Sequence, residues 1–266
     1  MTHLFFSLTL GFYVCATAAY FACLFRTSAG LTQWASRLLA TGCVAHILST
    51  VHLASKAKHL PLTNMQESLS FFSLMIIVAF LIFERRYKVT TLGSFVTPVA
   101  LMMLIGSSAL HMELRQLPPI LQSNWFWFHA LLAFVSYAAF TIAFGVAVIY
   151  LIQRHFLKAK HFGVLFQRLP PLDTLDEISY RCLAVGFPLL TIAIISGAIW
   201  SEKAVGSYWV WDPKQTWSLI TWLIYAALLH GRLTIGWRGK RAALLSIVGF
   251  TVLLITFFGM KHSITW

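Results

Sequence analysis

Eight apolar runs, each close to the length of a bilayer-crossing helix, limit what this chain can fold into more than any other feature of its sequence. They fall at residues 4–25 and at about 34–54, 68–83, 92–110, 125–152, 181–200, 216–232 and 242–259. A helix of about 20 residues spans the hydrocarbon core of a bilayer, where every backbone N–H and C=O must find its partner inside the segment. The expected fold class is therefore all-α, a polytopic membrane helical bundle of about eight transmembrane helices, read as one integral membrane domain over residues 1–266. With 59% hydrophobic and only 11% charged residues, the loops are too short to hold a soluble domain. The first run has no Lys or Arg ahead of it and is longer than a signal-peptide core, so it reads as a retained helix.

The net charge of +12 does not indicate nucleic acid, because the basic residues sit in short loops and form no continuous face. Their distribution is a topology signal. The segments after the first, third, fifth and seventh runs hold fourteen Lys and Arg, and the alternate set, Lys56, Lys58, Arg115, Lys203, Lys214 and Lys261, holds six. The positive-inside rule puts the richer set in the cytoplasm and both termini outside. The long inner segment 153–180, with an acidic cluster of Asp173, Asp176 and Glu177, reads as a solvated connector with room for a short surface helix.

Between the sixth and seventh runs lies the densest aromatic stretch, WSEKAVGSYWVWDPKQTW at residues 200–217. Trp200, Tyr208, Trp209, Trp211 and Trp217 are punctuated there by Gly206 and Pro213. Two readings stand: an interfacial aromatic belt, or a platform for a flat apolar ligand at the outer membrane surface. Asp212 immediately precedes Pro213, a spacing that suits an N-cap followed by proline at the first helical position.

Cys15, Cys23, Cys43 and Cys182 are scattered singly in apolar runs. No C-x-x-C or C-x-x-C-H motif is present, which excludes the usual thiol–disulfide exchanger and covalent c-type haem. Histidine is more informative, since imidazole is both a proton carrier and a common axial ligand for haem iron. His3, His59, His111, His155 and His161 read as surface residues, and His52 as facing headgroups. His129, at the outer end of the fifth run, and His262, after the last, fall on the outer side at the level of the Trp-rich stretch, each open to reading as an interfacial residue or a ligand. His46 and His230 lie within spans, where an ionisable group is either functional or quietly bonded to a neighbouring helix.

The flanked Trp-rich stretch, GFPLLTIAIISGAIW, SYWVWDPKQTWSLITWL and LLHGRLTIGWRGKRAA, resembles the CcsA/ResC cytochrome c assembly family, which carries a WWD motif. HLPLTNMQESLSFFS and LQSNWFWFHALLAFVSYAAF resemble the same family, so that the likeness runs from about residue 46 onward. It implies a bacterial inner-membrane protein of cytochrome c biogenesis, a subunit of a cytochrome c synthase (haem lyase) complex. Noncovalent haem b, in transit, would be presented outside on the Trp-rich platform for attachment to the CxxCH motif of an apocytochrome c. By motif match the resemblance makes His129 an outer iron ligand and His230 an intramembrane one, with a CcsB/ResB-type partner supplying the other intramembrane ligand.

Three positions depart from the family pattern. Val205 stands where Trp is usual and Gln215 where Glu is usual. The tail FFGMKHSITW offers His262 in place of a more distant G-L-H-S-Y histidine. A short tail also resembles HemX-like relatives associated with haem biosynthesis, although their Trp-rich signature is usually degraded. A non-haem structural subunit or a transporter is the remaining alternative, but the spans offer few polar groups beyond His46 and His230.

Overall fold

The computed structural model describes residues 2–26, 28–110 and 119–259. All described regular structure is helical, with the long elements α1 (Thr2–Phe25), α2 (Ala29–Ala57), α3 (Met65–Tyr87), α4 (Gly93–Ser108) and α5 (Asn124–Lys158). After them come a short α6 (Val164–Arg168), then α7 (Leu172–Val205), α8 (Pro213–His230) and α9 (Lys240–Gly259). Eight of these are long and apolar enough to cross a membrane, one for each run anticipated from sequence. Their sides are apolar even where exposed. On α7, Val185, Ile192 and Ile195 face outward while Leu183, Leu190 and Ala193 are buried, a helical stripe whose outer face suits lipid.

Local chemistry sets the helix ends. Asn64 caps α3 by accepting from Glu67 N at 2.8 Å, and Glu67 reaches back to accept from Thr63 N at 2.8 Å, a reciprocal arrangement that satisfies first-turn donors. Gly206 closes α7 with φ of 75°, a left-handed conformation that glycine adopts without a Cβ clash.

The chain folds as two compact units: residues 1–116 with 155–170, and residues 117–154 with 171–266. In the first, serine hydroxyls bind backbone carbonyls on neighbouring helices: Ser73 Oγ donates to Ala100 O, Ser94 Oγ to Tyr20 O and Ser107 Oγ to Gln66 O, at 2.8–2.9 Å. In an apolar medium such bonds, with close packing, take over from the hydrophobic effect. Buried Glu84 ties three helices together, accepting from Tyr20 Oη on α1 at 2.8 Å and from Ser36 Oγ on α2 at 2.8 Å. His52 is half-buried, and its Nε2 atom is buried without a hydrogen-bond partner among the described residues.

In the second unit, Phe140 of α5 stacks on Tyr225 of α8 with ring centroids 3.7 Å apart. Trp222 Nε1 donates to Thr191 Oγ1 at 2.8 Å, linking α8 to α7. The segment expected to be a solvated connector is largely helical: α5 runs on to Lys158 and α7 begins at Leu172. Asp176 is correspondingly not a solvent-facing residue. Its carboxylate accepts from Arg232 Nη1 at 3.1 Å and from Gly239 N at 3.0 Å, and pairs with Arg232 Nη2, because a buried guanidinium needs an anion beside it.

Candidate functional site

The Trp-rich stretch links α7 to α8 in the second unit. Asp212 Oδ1 accepts from Gln215 N at 2.6 Å and Pro213 takes the first helical position, so the aspartate is the N-cap expected from sequence. Gln215 turns back and accepts from Val210 N at 2.9 Å through its side-chain carbonyl. A glutamate oxygen would make the same bond, so the Gln-for-Glu departure leaves this contact intact. Trp211 has φ of 56°, a left-handed conformation that costs a bulky residue about 1–3 kcal/mol. That turn leaves its indole 69% exposed, edge-on to Trp209 at a centroid distance of 5.7 Å.

The aromatic residues divide by burial. Tyr208 and Trp211 are exposed. Trp200 is buried: its Nε1 donates to Ile120 O at 3.0 Å and its ring packs on Phe126. Trp217 is half-buried on the second turn of α8, and its carbonyl accepts from Thr221 Oγ1 at 2.9 Å. Val205, at the end of α7, is exposed.

Beneath the loop is a cavity of about 60 Å³ whose lining includes His129, Trp200, Trp209, Lys214, Gln215 and Thr256. It has room for a few waters or a carboxylate and is far below the several hundred Å³ of an enclosed site for a large ligand. A macrocycle would therefore have to lie across the exposed aromatics.

His129 sits on α5 with Nδ1 2.6 Å from Ala193 O on α7. A carbonyl can only accept, so Nδ1 carries the proton and the acceptor lone pair belongs to Nε2. Metal-binding histidines are commonly fixed in this way, the non-ligating nitrogen donating to a backbone carbonyl. The close approach requires Gly197: a Cβ there would stand 2.7 Å from His129 Nδ1.

The remaining candidates differ in setting. His230 ends α8 and is exposed, just before a π-helical turn, Gly231–Ile235, that holds buried Arg232. His46 belongs to the first unit and is 1% exposed, with Nδ1 3.2 Å from Tyr13 Oη and Nε2 3.0 Å from Ser70 Oγ. Both ring nitrogens are engaged, so iron ligation there would require breaking one of these bonds. His262 lies outside the described residues. Thr256, six residues before it, lines the cavity, which places the last turns of α9 beside His129. No group of three or more His, Cys, Asp or Glu suited to a bare metal ion occurs among the described residues.

Sequence reasoning missed Lys214, Gly197 and the Asp176–Arg232 pair. Gly197 carried a usable signal, since a glycine inside a membrane span often marks a close approach.

Comparison with known proteins agrees with this architecture. The family model described as "Cytochrome C assembly protein" matches residues 43–265. The cytochrome c biogenesis protein CcsA of Guillardia theta is 36% identical over 258 residues, covering 88% of this chain and 85% of that protein. The CcsA of Synechococcus elongatus is 35% identical, covering 87% and 86%. Among solved structures, the cytochrome c haem lyase CcmF superposes with a TM-score of 0.75 over 99% of this chain at 16% identity, and this chain spans 47% of its length. That likeness is one of fold. The sequence relationship goes further: this integral membrane protein belongs to the cytochrome c assembly family and is a CcsA-type protein of cytochrome c biogenesis.

Proposed function

We propose that the protein presents haem at the outer membrane face for covalent attachment to the CxxCH cysteines of an apocytochrome c. The observation that carries this reading is His129, its Nδ1–H fixed by Ala193 O on the wall of the cavity beneath the Trp-rich loop. The tautomer makes Nε2 the ligating nitrogen, while Tyr208, Trp209 and Trp211 supply aromatic surface for the macrocycle. Trp200 lines the cavity with Trp209, and Asp212 fixes the start of α8 by capping it. The cargo brings its own chemistry, vinyl groups that take up cysteine thiols. This chain's residues orient the ring and keep its axial position weakly and reversibly filled.

His262 is the second outer ligand in this reading, carried on the tail beyond α9. His230 serves at the intramembrane level, and its exposure suits a site completed by a CcsB/ResB-type partner. His46, already bonded on both sides, is held in reserve for an inner site only if Ser70 or Tyr13 releases it. The fourteen-to-six split of basic residues supports an outward-facing Trp-rich loop in a bacterial inner membrane, with both termini outside.

The test is to purify the protein with its partner from haem-replete cells. Noncovalent b-type haem in the preparation is the expected result. A haem-free complex would overturn the reading and leave a structural subunit as the better description.

A further inference from the structure

A cavity of about 360 Å³ lies wholly within the first unit. Its lining includes Phe6 and Leu10 near the start of α1, Leu53 near the end of α2, Glu67 and Phe71 near the start of α3, and Ser107 in the last turn of α4. Four spans thus present the same end to it, which puts it at headgroup depth in a bilayer. Leu110, also in the lining, is exposed, so the cavity opens beside apolar surface.

Glu67 is only 4% exposed, yet half of its carboxylate is unused. Oε2 accepts from Thr63 N at 2.8 Å and from Thr63 Oγ1 at 2.9 Å. Oε1 has no donor among the described residues and is not sealed from the cavity. A carboxylate withdrawn from water calls for a partner at each oxygen, and no Lys, Arg or His among the described residues lines this cavity. The partner must come from outside the fold and bring positive charge.

Hydroxyls supply the opposite chemistry. Buried Tyr13 has His46 Nδ1 as its one hydrogen-bond partner among the described residues, so the phenol donates and His46 Nε2 carries the ring proton. Nε2 then donates to Ser70 Oγ at 3.0 Å, which leaves the hydrogen of Ser70 for an acceptor in the cavity that Ser70 lines. Ser49, across the cavity on α2, makes no side-chain hydrogen bond among the described residues and has a hydrogen to give as well.

We propose that this cavity is a headgroup site for an ethanolamine phospholipid, whose ammonium pairs with Glu67 and whose phosphate oxygens accept from Ser49 and Ser70. The volume is within the range of small-molecule sites, and Phe6, Leu10 and Leu53 suit the start of the acyl chains. A bare metal ion would need more than one such carboxylate, and the same negative charge disfavours a haem propionate. A choline head has no N–H to donate to Oε1, so the site tells the two zwitterionic lipids apart. Haem presentation is not a premise of this assignment.

The test offers full-length protein, purified from the membrane in detergent, an equimolar mixture of phosphatidylethanolamine, phosphatidylcholine and phosphatidylglycerol with the same acyl chains. Retained lipid is read by native mass spectrometry. Wild type is expected to keep the ethanolamine lipid at least about tenfold over the choline lipid, the scale of one charge-assisted hydrogen bond. Glu67→Gln leaves an oxygen for Thr63 and should lose that preference. Ser49→Val, which removes a hydroxyl and leaves Glu67 in place, should lower retention of the ethanolamine lipid. The wild-type competition needs no substitution, so a misfolded variant does not remove the test.

Equal retention of ethanolamine and choline lipids by wild type overturns the proposal. A preference that survives Glu67→Gln does the same, as does strongest retention of phosphatidylglycerol, the mark of an anion site. Displacement of the lipid by free ethanolamine at the lipid's own concentration assigns the cavity to a soluble amine and overturns the lipid assignment.

Discussion

The carboxylate of Asp176, near the start of α7, holds the guanidinium of Arg232, two residues beyond His230. Arg232 also donates to the Asp176 carbonyl at 2.9 Å and lies over the Tyr180 ring at 4.9 Å. Since Gly239 N donates to the same carboxylate, the pair joins the start of α7 to the segment between α8 and α9. It thereby fixes the end of the helix that carries His230.

Breaking this pair from one side should be costly. Asp176→Ala leaves a buried cation unpaired, for which about 3–5 kcal/mol is usual, whereas replacing both partners with apolar residues is far milder. Thermal unfolding in detergent should therefore show Asp176→Ala well below wild type and the Asp176→Ala/Arg232→Met double variant partly recovered. A double variant as unstable as the sum of its singles would mean the two groups are not coupled.

The role of Asp212 can be separated from its charge. Asn caps helices about as well as Asp, and loss of a cap costs about 0.5–2 kcal/mol. Asp212→Asn is expected to keep wild-type stability and haem content, with Asp212→Ala losing stability on that scale. If Asn behaves like Ala, the carboxylate charge matters for more than the cap.

Gly197→Ala introduces a single methyl group 2.7 Å from His129 Nδ1. The imidazole must leave its bond to Ala193 O, so the variant should lose haem much as a His129 substitution does. Unchanged absorption spectra in Gly197→Ala would show that the imidazole position is not what the cargo requires.

Topology is tested by reporter fusions at Lys203, in the last turn of α7, and at Arg238, between α8 and α9, which should report outside and inside respectively. Matching signals from the two sites would remove the basis for an outward-facing platform.

The spans were legible because bilayer thickness imposes one length on every apolar run, and the cap at Asp212 because its chemistry is local. Their ends were read short: α7 begins at Leu172, where charged residues made a helix look like a loop. Glu84 lies just past the third apolar run and drew no reading from sequence, because its partners Tyr20 and Ser36 are brought to it only by the packing of α1 and α2. Asp176 and Arg232 likewise meet across 56 residues. His46 illustrates the converse, an isolated histidine in a span whose partners Tyr13 and Ser70 carry no spacing signature. The Trp-rich stretch was legible as a unit. Which of its rings face outward depends on the left-handed turn at Trp211, and no residue type announces that conformation.

The central claim is that His129 Nε2 is an axial ligand for haem at the Trp-rich loop, and absorption spectroscopy of purified His129→Ala tests it most directly. The variant should lose the wild-type Soret and α/β bands or most of its haem, and free imidazole supplied during purification should restore both, by filling the axial position the side chain left. A His129→Ala protein with wild-type haem content and spectrum, indifferent to imidazole, would contradict the assignment.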